Sequence, residues 1–252
     1  MCSLEPHLAA LLLPPLVTDP SHPSFLLAVD DGGEYFVASG DSLVIGHLSS
    51  PSADLPFLAD VEALHARLAI GESFHSGPRW TLAGLAQAKI LVAGRFLGAE
   101  PELLSDGDLV HLAPNLSFRF RAPDPSSSAA VLDLLSGADC KGARHVLLFP
   151  PGPGGRVRIG PRRDRHIAVA DLLREVSLEI GDSALVVRCA GGVRVQGGVS
   201  SPGPDPALSL PCPPARSISV SVGARAPDRP PFGITVWPAR MVAPGAARPR
   251  PA

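Results

Sequence analysis

A run of arginines in the second half of the chain has the chemistry to hold an anion. The stretch RVRIGPRRDRH places five of them within ten positions, at Arg156, Arg158, Arg162, Arg163 and Arg165. A guanidinium group offers a planar fork of N–H donors that matches carboxylate and phosphate groups. One interpretation of the run is a site for an anion or an acidic peptide. The alternative is a solvated charged loop in which Asp164 offsets part of the positive charge.

Three histidines and a glutamate in the first half could support catalysis or bind a metal. They are His47, Glu62, His65 and His75. Such sites need particular residue types at particular spacings, and the chain has no G-x-S-x-G, no H-E-x-x-H and no cysteine–histidine set. A partly buried structural role is the alternative for His65, and a weak ion pair between His47 and Glu62 is also expected. The sequence therefore predicts no enzyme, no cofactor and no metal, with an enzyme site around these four residues as the less favoured alternative.

The composition limits the partners and the compartment. The 252-residue chain has a net charge of −2, which argues against binding to nucleic acid or to a membrane surface. Its four cysteines show no metal-binding spacing, which is typical of a reducing compartment. The first residues lack the basic start of a signal peptide, and no apolar run is long enough for a membrane helix. We therefore expect a cytoplasmic protein whose partner is another protein.

The candidate residues must be positioned by strands, because 29 prolines and 25 glycines interrupt the chain too often for long helices. Two apolar runs flank Asp30-Asp31-Gly32-Gly33, which is typical of a β-hairpin. Polar and apolar residues alternate from Leu116 to Phe120, as in a half-buried strand. Further short runs predict strands at 42–45, 64–70, 80–82, 90–92, 109–112, 145–149, 156–159, 176–180, 185–187, 193–195, 218–222 and 234–237. The fold class is therefore expected to be all-β, of the sandwich type.

The two halves of the chain repeat the same order of patterns. FLLAVDDGGEYF followed by LVIG in the first half has its counterpart in VLLFPPGPGGRVRIG, and ADVEALHARL has its counterpart in ADLLREVSLEI. A repeat of about 100 residues indicates a duplicated domain. The proline- and serine-rich segment between the halves predicts a linker with a short helix over 129–135. The expected organisation is an N-terminal extension over 1–23, sandwich domains over 24–122 and 144–238 joined by a linker over 123–143, and a disordered tail over 239–252.

The first half resembles the forkhead-associated (FHA) family, an eleven-strand β-sandwich that binds phosphothreonine peptides. The family pattern has a strand ending in Gly-Arg, then Ser-Arg-x-His-Ala, then an Asn-Gly turn, and then a strand that begins with Gly-Asp. The corresponding segments here are Ile45-Gly46-His47, Glu62-Ala63-Leu64-His65-Ala66, residues 88–94 and residues 104–112. The resemblance implies an FHA-like β-sandwich over most of residues 24–122.

The second half fits the same pattern less closely and implies a diverged second FHA-like β-sandwich in tandem. Arg158-Ile159-Gly160-Pro161 takes the Gly-Arg place, Arg174-Glu175-Val176-Ser177-Leu178 takes the Ser-Arg-x-His-Ala place, and residues 191–197 take the Asn-Gly turn. On this alignment Arg174 stands at the serine position, and Arg162 or Arg163 could replace the family's arginine after a shift of one or two residues. The predicted ligand site of the second domain consists of Arg162, Arg163, Arg165 and Arg174.

The corresponding loops of the first domain lack the donors that phosphate binding requires. A phosphothreonine carries roughly −1.5 to −2 charges and three strong acceptor oxygens. The resemblance places His47 at the arginine position, Glu62 and Ala63 at the Ser-Arg pair, and Ala88 at the asparagine. Glu62 would repel a phosphate group. The resemblance also implies that His65 mainly braces the loops, so this domain is expected to have lost the family's ligand.

The sequence thus predicts a non-enzymatic protein–protein interaction module. By analogy with the family, such modules act in signalling beside bacterial kinases or secretion assemblies. One alternative is that the arginine-rich loops of the second domain bind a phosphorylated or acidic partner. Another is an assembly domain that oligomerises through its edge strands.

Overall fold

The computed structural model describes residues 23–73, 77–85, 87–135, 138–152, 154–181, 183–195, 200–201, 206–226 and 228–239. In these ranges the chain forms strands joined by turns, and the fold class is all-β, as the sequence predicts. Within the same ranges no helix has the length and apolar character that a membrane crossing requires.

Twenty-two strands follow one another along the described ranges. The first eleven are β1 Ser24–Val29, β2 Gly33–Ala38, β3 Ser42–His47, β4 Leu55–Phe57, β5 Ala66–Ser73, β6 Gly77–Gly84, β7 Leu91–Val92, β8 Arg95–Phe96, β9 Glu102–Leu103, β10 Leu109–Ala113 and β11 Leu116–Arg121. The next eleven are β12 Ala130–Leu134, β13 His145–Leu148, β14 Arg156–Gly160, β15 Ile167–Ala168, β16 Val176–Ile180, β17 Ala184–Cys189, β18 Val193–Val195, β19 Ser200–Ser201, β20 Ala207–Pro211, β21 Ile218–Val222 and β22 Phe232–Pro238.

The hairpin predicted at the start of the chain is present. β1 and β2 pair antiparallel along their full lengths. Asp31 and Gly33 have φ angles of 57° and 97°, in the left-handed region that aspartate and glycine tolerate. The carboxylate of Asp30 accepts a hydrogen bond of 2.8 Å from the backbone N–H of Gly233, which fixes the turn against β22.

The order of strands in the sheets repeats with a period of eleven. One five-stranded sheet has the order β4-β3-β5-β6-β9, and the other has the order β15-β14-β16-β17-β20. The twelve-stranded central sheet runs β8-β7-β10-β11-β12-β13 from one edge and β19-β18-β21-β22-β1-β2 from the other. Each strand of one series thus has its counterpart eleven strands away in the other.

The two series exchange their first hairpins. β11, the last strand of the first series, pairs with β12, the first strand of the second. β22, the last strand of the second series, pairs in turn with β1. The exchanged hairpins meet at the centre of the sheet, where β2 and β13 run parallel. Neither series therefore completes its part of the central sheet with its own first strand.

Two hydrophobic cores lie on opposite faces of this sheet, because neighbouring residues in a strand point to opposite faces. In β1, Leu27 belongs to the core built with β14, β16 and β17, whereas Leu26 belongs to the core built with β3, β5 and β6. In β2, Val37 and Phe36 divide between the two cores in the same way. β12 and β13 do so as well, so these four strands are buried on both faces. Their nearly continuous apolar sequences follow from that burial.

The segment 129–135, expected to form a helix in a linker, is a strand of the central sheet instead. β12 pairs antiparallel with both β11 and β13. Its sequence AVLDL faces a core on each side, and hydrophobic periodicity cannot separate such a strand from a buried helix. The division into domains over 24–122 and 144–238 stays a prediction; strands of both ranges meet in the central sheet. Residues 1–22 and the tail from residue 240 lie outside the described residues.

Candidate functional site

Most of the predicted site residues lie at one end of a five-stranded sheet, in the loops that surround the end of β3 or β14. We call residues 48–54, 58–65, 85 and 87–90 the first loop end. We call residues 161–166, 169–175 and 190–192 the second loop end. The repeated strand order places these two groups of loops at corresponding positions of the two series.

Gly46 sets the close approach of a loop to β3 at the first loop end. The backbone N–H of His47 donates a hydrogen bond of 3.0 Å to the carbonyl of Glu62, and the N–H of His65 donates one of 2.8 Å to the carbonyl of Ile45. Between these two bonds the carbonyl oxygen of Ala63 lies where a Cβ at position 46 would stand. A residue without a side chain is therefore required for the loop to lie against the strand.

His47 does not pair with Glu62 through its ring. Its Nδ1 lies 2.7 Å from the hydroxyl of Ser49 and accepts a hydrogen bond of 3.2 Å from the backbone N–H of the same serine. The contact between His47 and Glu62 is the backbone bond described above. The expected ion pair is therefore replaced by a local turn around the imidazole.

His65 joins the first loop end to the central sheet. Its ring is buried, with Nδ1 accepting a hydrogen bond of 3.3 Å from the backbone N–H of Glu62. Its Nε2 donates a hydrogen bond of 2.8 Å to the carbonyl of Leu112 in β10. Both ring nitrogens are occupied, so the geometry of His65 is that of a brace.

The surface of the first loop end is apolar and acidic. Glu62 and Ala63 are exposed, and Ala88 packs against the neighbouring core. The sequence did not draw attention to Leu48, Leu58 and Leu64, which are also exposed there, Leu58 to 76%. Solvent-facing leucines beside a carboxylate offer no donor to a phosphate group, and exposed apolar side chains are typical of a docking surface when they cluster.

The predicted alignment of the two loop ends is wrong by two residues at Arg174. Ala66 begins β5 and Val176 begins β16, and each lies opposite the isoleucine of an Ile-Gly pair. Counting back from these strands, Arg174 corresponds to Leu64 and not to the serine position. A shift of two residues keeps every side chain on the same face of a strand, so the apolar alternation alone could not fix this register.

The arginines of the second loop end converge on a glutamate. The Nε of Arg165 lies 2.5 Å from one carboxylate oxygen of Glu175, and the Nε of Arg158 lies 3.5 Å from the other. Arg158 also lies 3.1 Å from Asp124. These are ion-pair distances, although the N–H groups do not point along them as hydrogen bonds require. An anion would have to displace Glu175 to reach Arg158 and Arg165 together.

The remaining predicted arginines lie apart from that pair. Arg162 is 71% exposed and binds the carboxylate of Asp164 at 2.9 Å. Arg174 is exposed and donates a hydrogen bond of 3.2 Å to the carbonyl of Ala190. Arg163 is exposed, with no side-chain partner in the part of the chain that the structure describes. The structure therefore does not gather the four predicted arginines around one open site.

The charges next to this loop end form a ladder on the outer face of the second five-stranded sheet. The guanidinium group of Arg156 lies 2.6 Å from Glu179, and the Nε of Arg188 lies 3.9 Å from the same carboxylate. A groove runs over these side chains and over Ser177, Cys189 and Ala190. Its arginines face glutamates along its length, so the groove offers little uncompensated charge to a ligand.

His166 is a buried histidine that sequence reasoning missed. Its Nδ1 accepts a hydrogen bond of 3.1 Å from the backbone N–H of Arg158, and its Nε2 donates one of 3.1 Å to the carbonyl of Ala129. Burial lowers the pKa of His166 from 6.5 to about 4. At the corresponding place of the first series, Asp54 accepts a hydrogen bond of 2.8 Å from the backbone N–H of Val44. Asp54 and His166 thus each accept a hydrogen bond from the backbone N–H of the third residue of a strand.

A histidine–carboxylate pair lies on the central sheet beside the second loop end, since Arg121, which binds the carboxylate of the pair, also donates a hydrogen bond of 3.3 Å to the carbonyl of His166. The Nδ1 of His145 lies 2.8 Å from Asp133, whose other oxygen accepts a hydrogen bond of 2.6 Å from Arg121. Although burial acts to raise the pKa of Asp133, the hydrogen bond from His145 and the charge of Arg121 bring it below its usual value. The described residues contain no group of three or more histidine, cysteine, aspartate or glutamate side chains able to hold a metal ion. His75, the remaining residue of the alternative enzyme site, lies outside the described residues.

No family model matches the chain, and no curated protein matches it. One similar solved structure is an FHA domain. It is the FHA domain of MEK1 in complex with a HOP1 phosphothreonine peptide. The likeness has 14% sequence identity and a TM-score of 0.27, and it covers 36% of this chain and 88% of that chain. Similarity of this extent carries no argument about the function of the chain.

Proposed function

We propose that the chain is a non-enzymatic protein–protein interaction module whose first loop end binds a protein partner without requiring phosphate. The observation that supports it is the set of side chains at that end. Leu48, Leu58 and Leu64 are exposed there beside Glu62, where a phosphate site needs arginine, serine or asparagine donors. Apolar anchors surrounded by polar residues are typical of protein interfaces.

The histidines at the two loop ends favour binding over catalysis. His65 and His166 each use both ring nitrogens within the fold, and His47 uses one on Ser49. A general base needs a nitrogen that can reach a proton of the substrate. These rings instead hold loops in place, and rigid loops preserve the shape of a docking surface.

Matched phosphorylated and unphosphorylated threonine peptides test the independence from phosphate. We expect that phosphate will not strengthen binding to the wild-type chain, measured by fluorescence anisotropy. Restoring donors in a triple variant, His47→Arg, Glu62→Ser and Ala88→Asn, should create binding that phosphate strengthens by about tenfold or more. Phosphate-dependent binding by the wild-type chain that Glu62→Lys alters would contradict the proposal, because such binding would take place at the first loop end.

Capture of a partner from cell extract tests the docking surface itself. We expect a protein retained by the wild-type chain to remain bound after phosphatase treatment and to be lost with Leu58→Glu. Leu135→Glu is the matched control, because Leu135 is also exposed but lies after β12, outside the first loop end. Equal loss with both variants would count against a docking role of the first loop end.

The second candidate function is binding of a phosphorylated or acidic ligand at the second loop end. The exposure of Arg162 and Arg163 favours it, whereas the pairing of Arg158 and Arg165 with Glu175 counts against it. An acidic peptide that binds at low salt and is lost with Arg163→Ala would support this function. Binding that survives Arg162→Ala, Arg163→Ala and Arg174→Ala together would exclude it.

A further inference from the structure

The two loop ends occupy corresponding places of a repeated scaffold but differ in charge. At the first loop end, Asp60 and Glu62 are exposed together with the three leucines, and Lys89 is an exposed basic residue of the same end. At the second loop end, Arg162, Arg163 and Arg174 are exposed, and Leu173, the neighbour of Arg174 in the sequence, has 68% of its surface exposed. Each end therefore combines apolar side chains with charge, and the predominant charges are of opposite sign.

Some of the charged side chains at each end take no part in the ion pairs within the fold. Among the ion pairs that the described residues form, none involves Asp60 or Glu62. The acidic residues of the second loop end are already engaged, because Asp164 binds Arg162 and Arg165 and Asp171 binds Arg225 at 2.9 Å. The carboxylates of the first end and the guanidinium of Arg163 are thus available for a contact between molecules.

We propose that the first loop end of one molecule docks on the second loop end of a second copy of the same chain. Leu48, Leu58 and Leu64 would pack around Leu173 of the other copy. Asp60 and Glu62 would face its Arg163 and Arg174. The occupant is a second copy because this chain carries both the acidic and the basic form of one loop arrangement. The inference rests on the proposed function and names the partner of the same docking surface.

Such a contact joins two different surfaces of the chain. The rotation between the two copies in contact therefore determines how many copies the assembly contains. A head-to-tail contact closes into a ring or extends into a chain, and a pair of reciprocal contacts gives a twofold dimer. Each contact has an apolar centre and oppositely charged residues at its rim, so high salt should weaken it without abolishing the apolar part. Mass in solution, measured against protein and salt concentration, reports the contact directly.

Charge reversal on both sides provides the decisive experiment, with sedimentation equilibrium of the full chain as the measurement. Glu62→Arg places like charges in the contact, and so does Arg163→Glu, and each variant alone should associate about tenfold or more weakly than the wild type. An equal mixture of the two variants should recover association, because every contact between unlike molecules again joins opposite charges. Glu100→Arg and Arg216→Glu are the matched controls at exposed sites outside both ends and should leave association unchanged.

Thermal unfolding checks that all four variants are folded, which their exposed positions favour. A wild-type chain that stays monomeric at every concentration and salt would overturn the inference, as would association that the mixture fails to recover. The proposed function would survive either result if a phosphate-free protein still bound through Leu58. Loss of that binding together with a monomeric chain would instead contradict both.

Discussion

At the scale of single residues, the two series use different side chains to accept a hydrogen bond from the same position of a strand. The third residue of β3 and of β14 has a backbone N–H that turns toward a loop. Asp54 accepts it in the first series and His166 in the second. Asp54 is partly exposed, so water can solvate a carboxylate there. His166 is fully buried, and burial penalises a charged side chain, so a neutral acceptor is favoured at its position. The imidazole meets that requirement and also donates to Ala129.

Stability should fall as the pH drops through the window set by His166. Its pKa is about 4 in the folded chain and near 6.5 when unfolded, so the unfolded state binds more protons between these values. The contribution of His166 is present above pH 6.5 and is lost on going down toward pH 4. A shift of that size corresponds to about 3 kcal/mol. Urea unfolding at a series of pH values measures it.

The variant His166→Gln should flatten that pH dependence, even though it will also lower the stability at neutral pH. His47→Gln is the control, because that ring is bound by an exposed serine and its loss should leave the slope in place. A slope between pH 6.5 and pH 4 that persists in His166→Gln would show that other groups carry it.

At the scale of elements, strands with a clear turn or alternation could be predicted from the sequence. β16, β18 and β21 begin and end where their apolar patterns do, and the turn residues of the first hairpin gave β1 and β2. The sequence predicts a helix in place of β12, because a strand buried on both faces has no alternation and its alanine and leucine residues favour a helix. The pairing of Glu175 with Arg158 and Arg165 could not be predicted from the sequence either. It depends on how the loop before β16 folds against β14.

The loop that lies against β3 should be sensitive to any side chain at Gly46. Gly46→Ala would place a Cβ against the carbonyl of Ala63, and relief would require the loop and its hydrogen bonds to move. We expect a loss of about 2 kcal/mol or more in the free energy of unfolding. Gly98→Ala is the matched control, because a Cβ there meets no atom within 4 Å. Equal stability of the two variants in urea would contradict the close approach.

At the scale of the whole molecule, the exchange of hairpins ties the two cores together. β1 and β2 contribute one face to each core, and so do β12 and β13. Unfolding of either core would therefore expose one face of β1, β2, β12 and β13, whose other face is part of the remaining core. Two independent domains would have separate transitions, whereas shared strands favour one cooperative transition. The repeated patterns of the sequence agree with the repeated strand order but give no sign of the exchange, because the choice of pairing partner between equivalent strands leaves no local pattern.

A mutation in one core should therefore lower the stability reported from the other. Trp80 is buried in the core of β3, β5 and β6, where its Nε1 donates a hydrogen bond of 2.7 Å to Ser128, so its fluorescence reports on that side. Leu178 lies in the opposite core, and Leu178→Ala should cost about 2–5 kcal/mol. We expect the tryptophan transition to move to lower urea by as much as it does in the control Leu68→Ala, whose leucine packs in the same core as Trp80. The circular-dichroism transition should move with it, and a tryptophan midpoint that stays in place in Leu178→Ala would mean that the sandwiches unfold separately.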